Sequence, residues 1–390
     1  MNYKFPQIEH IDQALAAIEG RDEFIVKRTD DYTVINYIVQ LENTFPPVTG
    51  EATAILRECR GLIFDKEGKV ISRPFHKFFN VNERDETRVT AADLSGWHFL
   101  EKLDGSMVRP IPIGDHYRLG TKMGVTDVAM NAETFVANHS SYDRFIRAMI
   151  RAELTPIFEW CSNKNRIVIN YPNDRLVLTG LRDNETGKYI NFETINHNAD
   201  EQHRVEVVRS FDFTDLDSAV EYLKTVEDFE GFVIRNVDGH MLKVKGDWYL
   251  QLHKTKDAIR FEKDVIRLFC DNQFDDLKPL LLEHDLNRLT KFHERFWSEV
   301  KLTAFRLMEE FNHNIGKYDN RRDFAVEFAN KKDQWFRPFM YEFFNATERP
   351  IPLGMAEQSV IDAIRKGTSS STAVENVRHL FNIKLDDYNE

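Results

Sequence analysis

One lysine stands beside an Asp-Gly turn in Glu101-Lys102-Leu103-Asp104-Gly105-Ser106, directly after the apolar run Trp97-His98-Phe99-Leu100. An amine at a strand end can act as a covalent nucleophile only when neutral, which needs desolvation or neighbouring cations. Taken alone, Lys-x-Asp-Gly also reads as a solvent-exposed hairpin. Downstream, Glu230 opens the apolar run Gly231-Phe232-Val233-Ile234, and Leu242-Lys243-Val244-Lys245 follows. The period-two rule puts Lys243 and Lys245 on one strand face and Leu242 and Val244 on the other. That lysine face is either solvated or the wall of a pocket. In a pocket the pair would clamp an anionic phosphate and depress the amine of a third lysine nearby.

Glu159 sits between Phe158 and Trp160, which share the opposite strand face. A carboxylate there is either an edge residue at water or an acceptor for hydroxyl groups such as those of a ribose. Arg57-Glu58-Cys59-Arg60 and Arg73-Pro74-Phe75-His76-Lys77-Phe78-Phe79 interleave cations with aromatics. Phe75, Phe78 and Phe79 read as core.

The elements that must position these residues follow from short apolar runs and turn signals. Val34–Val39, Gly61–Phe64, Thr155–Phe158, Leu176–Thr179, Gly231–Ile234 and Leu242–Lys245 read as strands. Lys66-Glu67-Gly68-Lys69, Asn184-Glu185-Thr186-Gly187 and Val237-Asp238-Gly239-His240 read as the turns between them. Helices are expected near Val128–Ala137, Tyr142–Glu153 and Leu216–Thr225. From about Lys254 glycine becomes scarce, and Leu268, Phe274, Leu277, Leu281, Phe296, Leu302, Phe305, Leu307, Phe311, Phe324 and Phe328 recur at helical intervals. The expected organisation is an α+β catalytic domain over residues 1–253 and an all-helical domain over 254–390. Gly367–Thr372 reads as a flexible connector before one last helix.

Composition narrows the classes. The chain has 390 residues, 42% hydrophobic and 30% charged, enough for two domains. No membrane span and no secretory signal are expected, and Cys59, Cys161 and Cys270 suggest neither a disulfide framework nor a zinc ribbon. A reducing, cytoplasmic setting is expected. No Gly-x-x-x-x-Gly-Lys-Ser/Thr and no His-Glu-x-x-His occurs, which disfavours a P-loop kinase and a zinc hydrolase. The net charge is −12, with about −2 of it after residue 253, so neither part is basic in bulk. That argues against a nucleic-acid partner unless cations converge locally.

The succession Lys102-Leu103-Asp104-Gly105, Phe158-Glu159-Trp160, Glu230-Gly231-Phe232-Val233 and Leu242-Lys243-Val244-Lys245 resembles motifs I, III, IV and V of the covalent nucleotidyltransferases, the polynucleotide ligases and mRNA capping enzymes. Glu58-Cys59-Arg60-Gly61, Ser72-Arg73-Pro74, Lys77-Phe78-Phe79-Asn80, Asn165-Arg166-Ile167-Val168 and Lys245-Gly246-Asp247-Trp248-Tyr249 are similar to the phage tRNA-repair RNA ligases of the RNA ligase 1 family. The likeness runs from about Tyr32 to His253 and is looser beyond. DNA ligases usually carry an arginine where this chain has Met107, and DNA ligases and capping enzymes follow motif V with a β-barrel where this chain turns helical.

The resemblance implies an antiparallel-sheet, ATP-grasp-like nucleotidyltransferase domain and an ATP-dependent RNA ligase. Lys102 would take AMP from ATP, pass it to an RNA 5′-phosphate, and a 3′-OH would displace it. It implies that Lys243 and Lys245 contact the α-phosphate, that Arg60 and Lys77 hold ATP or RNA phosphates, and that Glu159 engages the ribose. Glu230 would help position Mg2+, with Mn2+ as the alternative metal. Lys122 would be a further active-site lysine, Glu101 belongs with the ATP-binding set, and Asp104, Gly105 and Tyr249 support the nucleophile. Expected partners are RNA with 5′-phosphate and 3′-OH ends, broken tRNA above all, and an end-healing polynucleotide kinase-phosphatase, in the cytoplasm of a phage-infected bacterium. The alternatives are a DNA ligase or mRNA capping guanylyltransferase, and a non-catalytic RNA-binding protein that keeps the fold.

Overall fold

The computed structural model describes residues 3–89, 94–347 and 349–388. The chain packs as two compact units, Met1–Leu250 and Gln251–Glu390. Among the described residues, the strands all lie in the first unit. They are β1 (Phe24–Arg28), β2 (Thr33–Tyr37), β3 (Leu62–Phe64), β4 (Val70–Ser72), β5 (Phe79–Asn80), β6 (His98–Lys102), β7 (Ser106–Ile113), β8 (His116–Gly120), β9 (Leu154–Cys161), β10 (Arg175–Asp183), β11 (Ser210–Phe211), β12 (Gly231–Arg235) and β13 (Met241–Lys245).

They form three sheets, ordered β1-β2-β3-β4, β10-β9-β7-β8 and β11-β6-β12-β13-β5. All pairings are antiparallel except one. The short β5 joins β13 in parallel, with Leu242 opposite Phe79 and Lys243 opposite Asn80. Two stretches distant in sequence, Lys77–Asn80 and Leu242–Lys245, thereby lie side by side. A local reading of hairpins does not anticipate this, because parallel partners are joined by a crossover rather than a turn.

The expected helices form as Asp127–Asn138, Ser140–Arg151 and Leu216–Thr225. Side chains cap the first and third at their N-termini: Thr126 accepts from the Ala129 N–H, and Asp215 accepts from the Ser218 N–H at 2.7 Å. The helix Glu51–Glu58 escapes a periodicity reading because its inward residues, Ala54, Ile55, Leu56, Arg57 and Glu58, run consecutively and end in charges.

The regular elements among the described residues of the second unit are all helices, packed around one apolar core. Its longest helix, Glu283–Ile315, buries Leu289, Phe292, Phe296, Val300, Leu307 and Phe311 at spacings of three, four and seven. Leu302 and Phe305, two of the apolar residues that recur at helical intervals, are 42% and 48% exposed because they fall on the face opposite that stripe. The expected flexible connector is a tight turn instead. Gly367 ends one helix, Thr368 is buried and bonded to Arg267, and Ser370 caps the next helix by accepting from the Ala373 N–H. No helix among the described residues is long and apolar enough to cross a membrane. Cys59, Cys161 and Cys270 are buried free thiols.

Candidate active site

Adjacent strands bring the charged residues into one row. Gly231 pairs with Lys102 on one side and Lys245 on the other, so the two lysines flank the start of β12. Glu230, immediately before Gly231 and 3% exposed, lies between them. Its Oε1 receives Lys102 Nζ at 2.8 Å and Lys245 Nζ at 2.9 Å. One buried carboxylate thus joins two ammonium groups contributed by different strands.

Beside this row lies a cavity of about 250 Å³. Arg60, Lys102, Glu159 and Lys243 line it together with the rings of Phe75 and Phe78. Phe79 does lie in the core, as expected. Phe75 and Phe78 instead form cavity wall. Phe78 is flanked by two cations, with Arg60 at 5.9 Å and Lys243 at 5.8 Å from its ring centre. Glu101 borders the same cavity and is salt-bridged to Arg209 at 3.3 Å.

The turn beneath Lys102 is rigid. Asp104 is buried, and its Oδ2 accepts the backbone N–H groups of Val168 and Ile169, each at 2.7 Å. Its Oδ1 accepts the Tyr249 hydroxyl at 2.7 Å. Tyr249, whose part the sequence leaves open, therefore ties the segment after β13 to the turn that carries the lysine. A side chain at Gly105 would bring its Cβ to 2.4 Å from the carbonyl oxygen of Trp160, so only glycine lets this turn close on β9.

Lys77 and Lys122 meet on the ring of Tyr37, at 5.4 and 4.7 Å. Lys77 also faces Phe45 and Phe79 and donates to Gln40. Tyr37 and Gln40 belong to no motif, and no local signal marks them. The words around Arg60 and Lys77 also hold structural residues. Glu58 accepts from Arg182 at 2.7 and 3.0 Å and from Arg73 at 3.2 Å, and all three side chains are fully buried. Backbone carbonyls of Pro6, Asn184, Glu185 and Gly187 take up further guanidinium N–H groups.

The electrostatics reverse one expectation. Lys243 and Lys245 were expected to depress the Lys102 amine. Burial does press on the charge of Lys102, but Glu230 and then Glu159 outweigh it and hold the amine above the ordinary lysine value. The physical reason is the carboxylate inserted between the lysines. Depression falls on other amines: Lys243 is pushed down to about 8 by burial, then by Lys102 and Arg60. Lys77 is pushed down to about 7 by burial, then by Arg60 and Lys243. Burial pushes Glu159 up to about 7, with Lys102 opposing and Glu230 adding to the shift.

A hard divalent cation suits this donor set. Glu159 and Glu230 are two oxygen-donor groups near Lys102, and a dication would offset the burial and the Glu230 charge that push Glu159 up. Among the described residues no group of three or more His, Cys, Asp or Glu side chains is arranged for a metal. A metal here would therefore complete its shell with phosphate and water, as Mg2+ commonly does.

Residues 58–251 match the family model described as RNA ligase. A protein of Thermovibrio ammonificans named "Putative RNA ligase" is 32% identical over 278 residues, which cover 68% of this chain and 70% of that protein. A "Putative bifunctional polynucleotide kinase/RNA ligase" of Autographa californica nuclear polyhedrosis virus is 25% identical over 249 residues, 58% of this chain but 35% of that protein. Among solved structures, an archaeal ATP-dependent RNA ligase aligns at a TM-score of 0.44 with 13% identity, over 94% of this chain and 86% of that one.

Proposed function

The chain belongs to the RNA ligase family, and we propose that it is an ATP-dependent ligase that seals 5′-phosphate to 3′-OH RNA ends through a lysyl-AMP intermediate on Lys102. The observation that carries this reading is Lys102 at the wall of a nucleoside-sized cavity, joined through Glu230 to Lys245 and followed along the same strand face by Lys243. In the first step the Lys102 Nζ lone pair forms a P–N bond to the α-phosphorus of ATP. The bond to the bridging oxygen breaks, pyrophosphate leaves, and the amine proton passes to solvent. AMP then moves to an RNA 5′-phosphate, regenerating the lysine, and a terminal 3′-OH displaces AMP to form the phosphodiester.

Positioning and charge carry most of such chemistry. Lys243 and Lys245 neutralise the α-phosphate, Arg60, Lys77 and Lys122 hold the outer phosphates, and Glu159 accepts ribose hydroxyls while Glu101 borders the nucleoside. Mg2+ or Mn2+ held by Glu230 and Glu159 would supply counter-charge to the triphosphate and to pyrophosphate. Lys102 is charged in the free protein, and a cation held by Glu230 would weaken the interaction that keeps its proton, coupling loading of the site to activation of the nucleophile. The fold is read as the antiparallel, ATP-grasp-like nucleotidyltransferase domain, with residues 254–390 recognising RNA.

The substrate proposed is broken tRNA in the cytoplasm of a phage-infected bacterium. A kinase-phosphatase would heal the ends first, a pairing supported by the kinase/ligase name of the viral relative. The test is self-labelling with α-labelled ATP and Mg2+, then a chase with 5′-phosphorylated single-stranded RNA. Transfer of label to protein and onward to RNA is expected. Labelling by GTP alone, or discharge only onto nicked DNA, would favour the capping or DNA-ligase alternatives. Absence of any adduct would favour a non-catalytic RNA-binding protein.

A further inference from the structure

Arg109 lies on β7 on the same strand face as Met107, which lines the cavity. It is fully buried, yet it forms no ion pair with a carboxylate among the described residues. Its guanidinium donates to the backbone carbonyl of Gly61 and, at 3.1 Å, to that of Thr121, and its Nε has no partner. Burial, followed by the charge of Arg60, pushes it down to about 9. A buried cation with only neutral acceptors is costly, and an apolar side chain of similar length would fill the space more cheaply.

The two carbonyls show what offsets that cost. Gly61 follows Arg60, and Thr121 precedes Lys122. These loops belong to different sheets and touch backbone to backbone: Gly61 has φ +92°, and a Cβ there would lie 2.7 Å from Lys122 Cα. Arg109 is the side chain that bonds to both loops at this junction. Its unneutralised charge also adds to a field that favours a polyanion.

We propose that Arg109 is a positioning residue that fixes the spacing of Arg60 and Lys122 for the outer phosphates of ATP. The proposal rests on the ligase reading above. It separates the adenylylation step, which handles a triphosphate, from sealing of RNA that already carries AMP, which does not.

The test compares wild type, Arg109→Met and Arg109→Lys in two assays: self-adenylylation against ATP concentration, and sealing of chemically pre-adenylylated RNA. In Arg109→Met the KM for ATP should rise by about tenfold or more, with kcat within about threefold and pre-adenylylated sealing within about twofold of wild type. Arg109→Lys keeps a charge but reaches one carbonyl, and should raise KM by about threefold. If Arg109→Met does not fold, the lysine variant decides by the same comparison. An unchanged KM would overturn the proposal. So would KM, kcat and sealing deteriorating together, the mark of a purely structural arginine. Failure of wild type to form an adduct would instead remove the ligase reading itself.

Discussion

Replacing Glu230 by glutamine keeps the shape of the side chain and removes the charge that Lys102 meets at 2.8 Å. At that separation the Coulomb energy is about 6 kcal/mol for an effective dielectric of about 20, an upper bound on what the lysine loses. Glu159 and Asp104 continue to favour the ammonium, so the shift should fall in the range of about 1–3 pH units usual for one close opposite charge. The sign is fixed by the structure: Glu230 raises Lys102, so its removal lowers Lys102.

The readout is the single-turnover rate of AMP transfer to protein, at ATP well below saturation so that the free protein's ionisation is reported. With Lys102 held above the ordinary lysine value, its deprotonation should contribute a rise of about tenfold per pH unit between about pH 7 and about pH 9.5 in the wild type. The loss of charge from Lys77 and Lys243, pushed down to about 7 and about 8, is superimposed on it in both proteins. The contribution of Lys102 in Glu230→Gln should bend to a plateau about 1–3 units earlier, and the plateau should be lower because the carboxylate proposed to hold the metal is gone. Circular dichroism establishes that the variant is folded. A folded variant whose rate keeps a constant ratio to the wild-type rate over the whole range would refute the reasoning.

Further outcomes are expected at other positions. Lys102→Ala should carry no acid-labile, lysine-linked AMP after incubation with α-labelled ATP, and retention of that adduct would overturn the nucleophile assignment. Gly105→Ala should lower the thermal midpoint by several degrees, since its Cβ would meet the Trp160 carbonyl and overpacking costs about 1–3 kcal/mol; an unchanged midpoint would contradict the close approach. Burial works to raise Glu58, but Arg182 and Arg73 outweigh it and hold it down to about 2. Its stabilisation is therefore present above the unfolded carboxyl value and lost as pH falls towards about 2. Glu58→Gln should cost about 3–5 kcal/mol in urea unfolding near neutral pH and flatten that acid limb, and a cost below about 1 kcal/mol would show that the buried arginines do not need it. Binding of single-stranded RNA should weaken only modestly with salt, with a log–log slope shallower than about −3, because few phosphates meet the cation cluster; a steep slope would point to an extended basic surface instead.

The motif residues were legible because each is a charged or glycine residue set inside an apolar strand, where its cost calls for a partner or a ligand. For Lys102, Glu159, Glu230, Lys243 and Lys245 that local reading left a solvated alternative, and the order of the motifs, matched by resemblance, made them site candidates; their strands lie near the expected positions. Glu58, Arg73 and Arg182 were not legible as a unit, because Arg182 is far from the other two in sequence and nothing local marks it. Phe75 and Phe78 read as core because composition does not distinguish a ring facing a cavity from one facing the interior. Leu302 and Phe305 mark the helix, but on a long helix being apolar does not say which side of the buried stripe a residue occupies.

The net charge of −12 illustrates the division. By itself the sequence determined the order of the motifs, the alternation that sets each side chain's face, and the change from strands to helices, all consequences of local periodicity. Tertiary structure alone decided that β5 lies parallel to β13 and that one glutamate stands between two lysines. It also decided that a buried arginine joins two loops. These depend on distances between residues tens to hundreds of positions apart. The protonation state of Lys102 follows from those distances. The carboxylate 2.8 Å from the amine holds its proton against burial and against the lysine pair of the later motif.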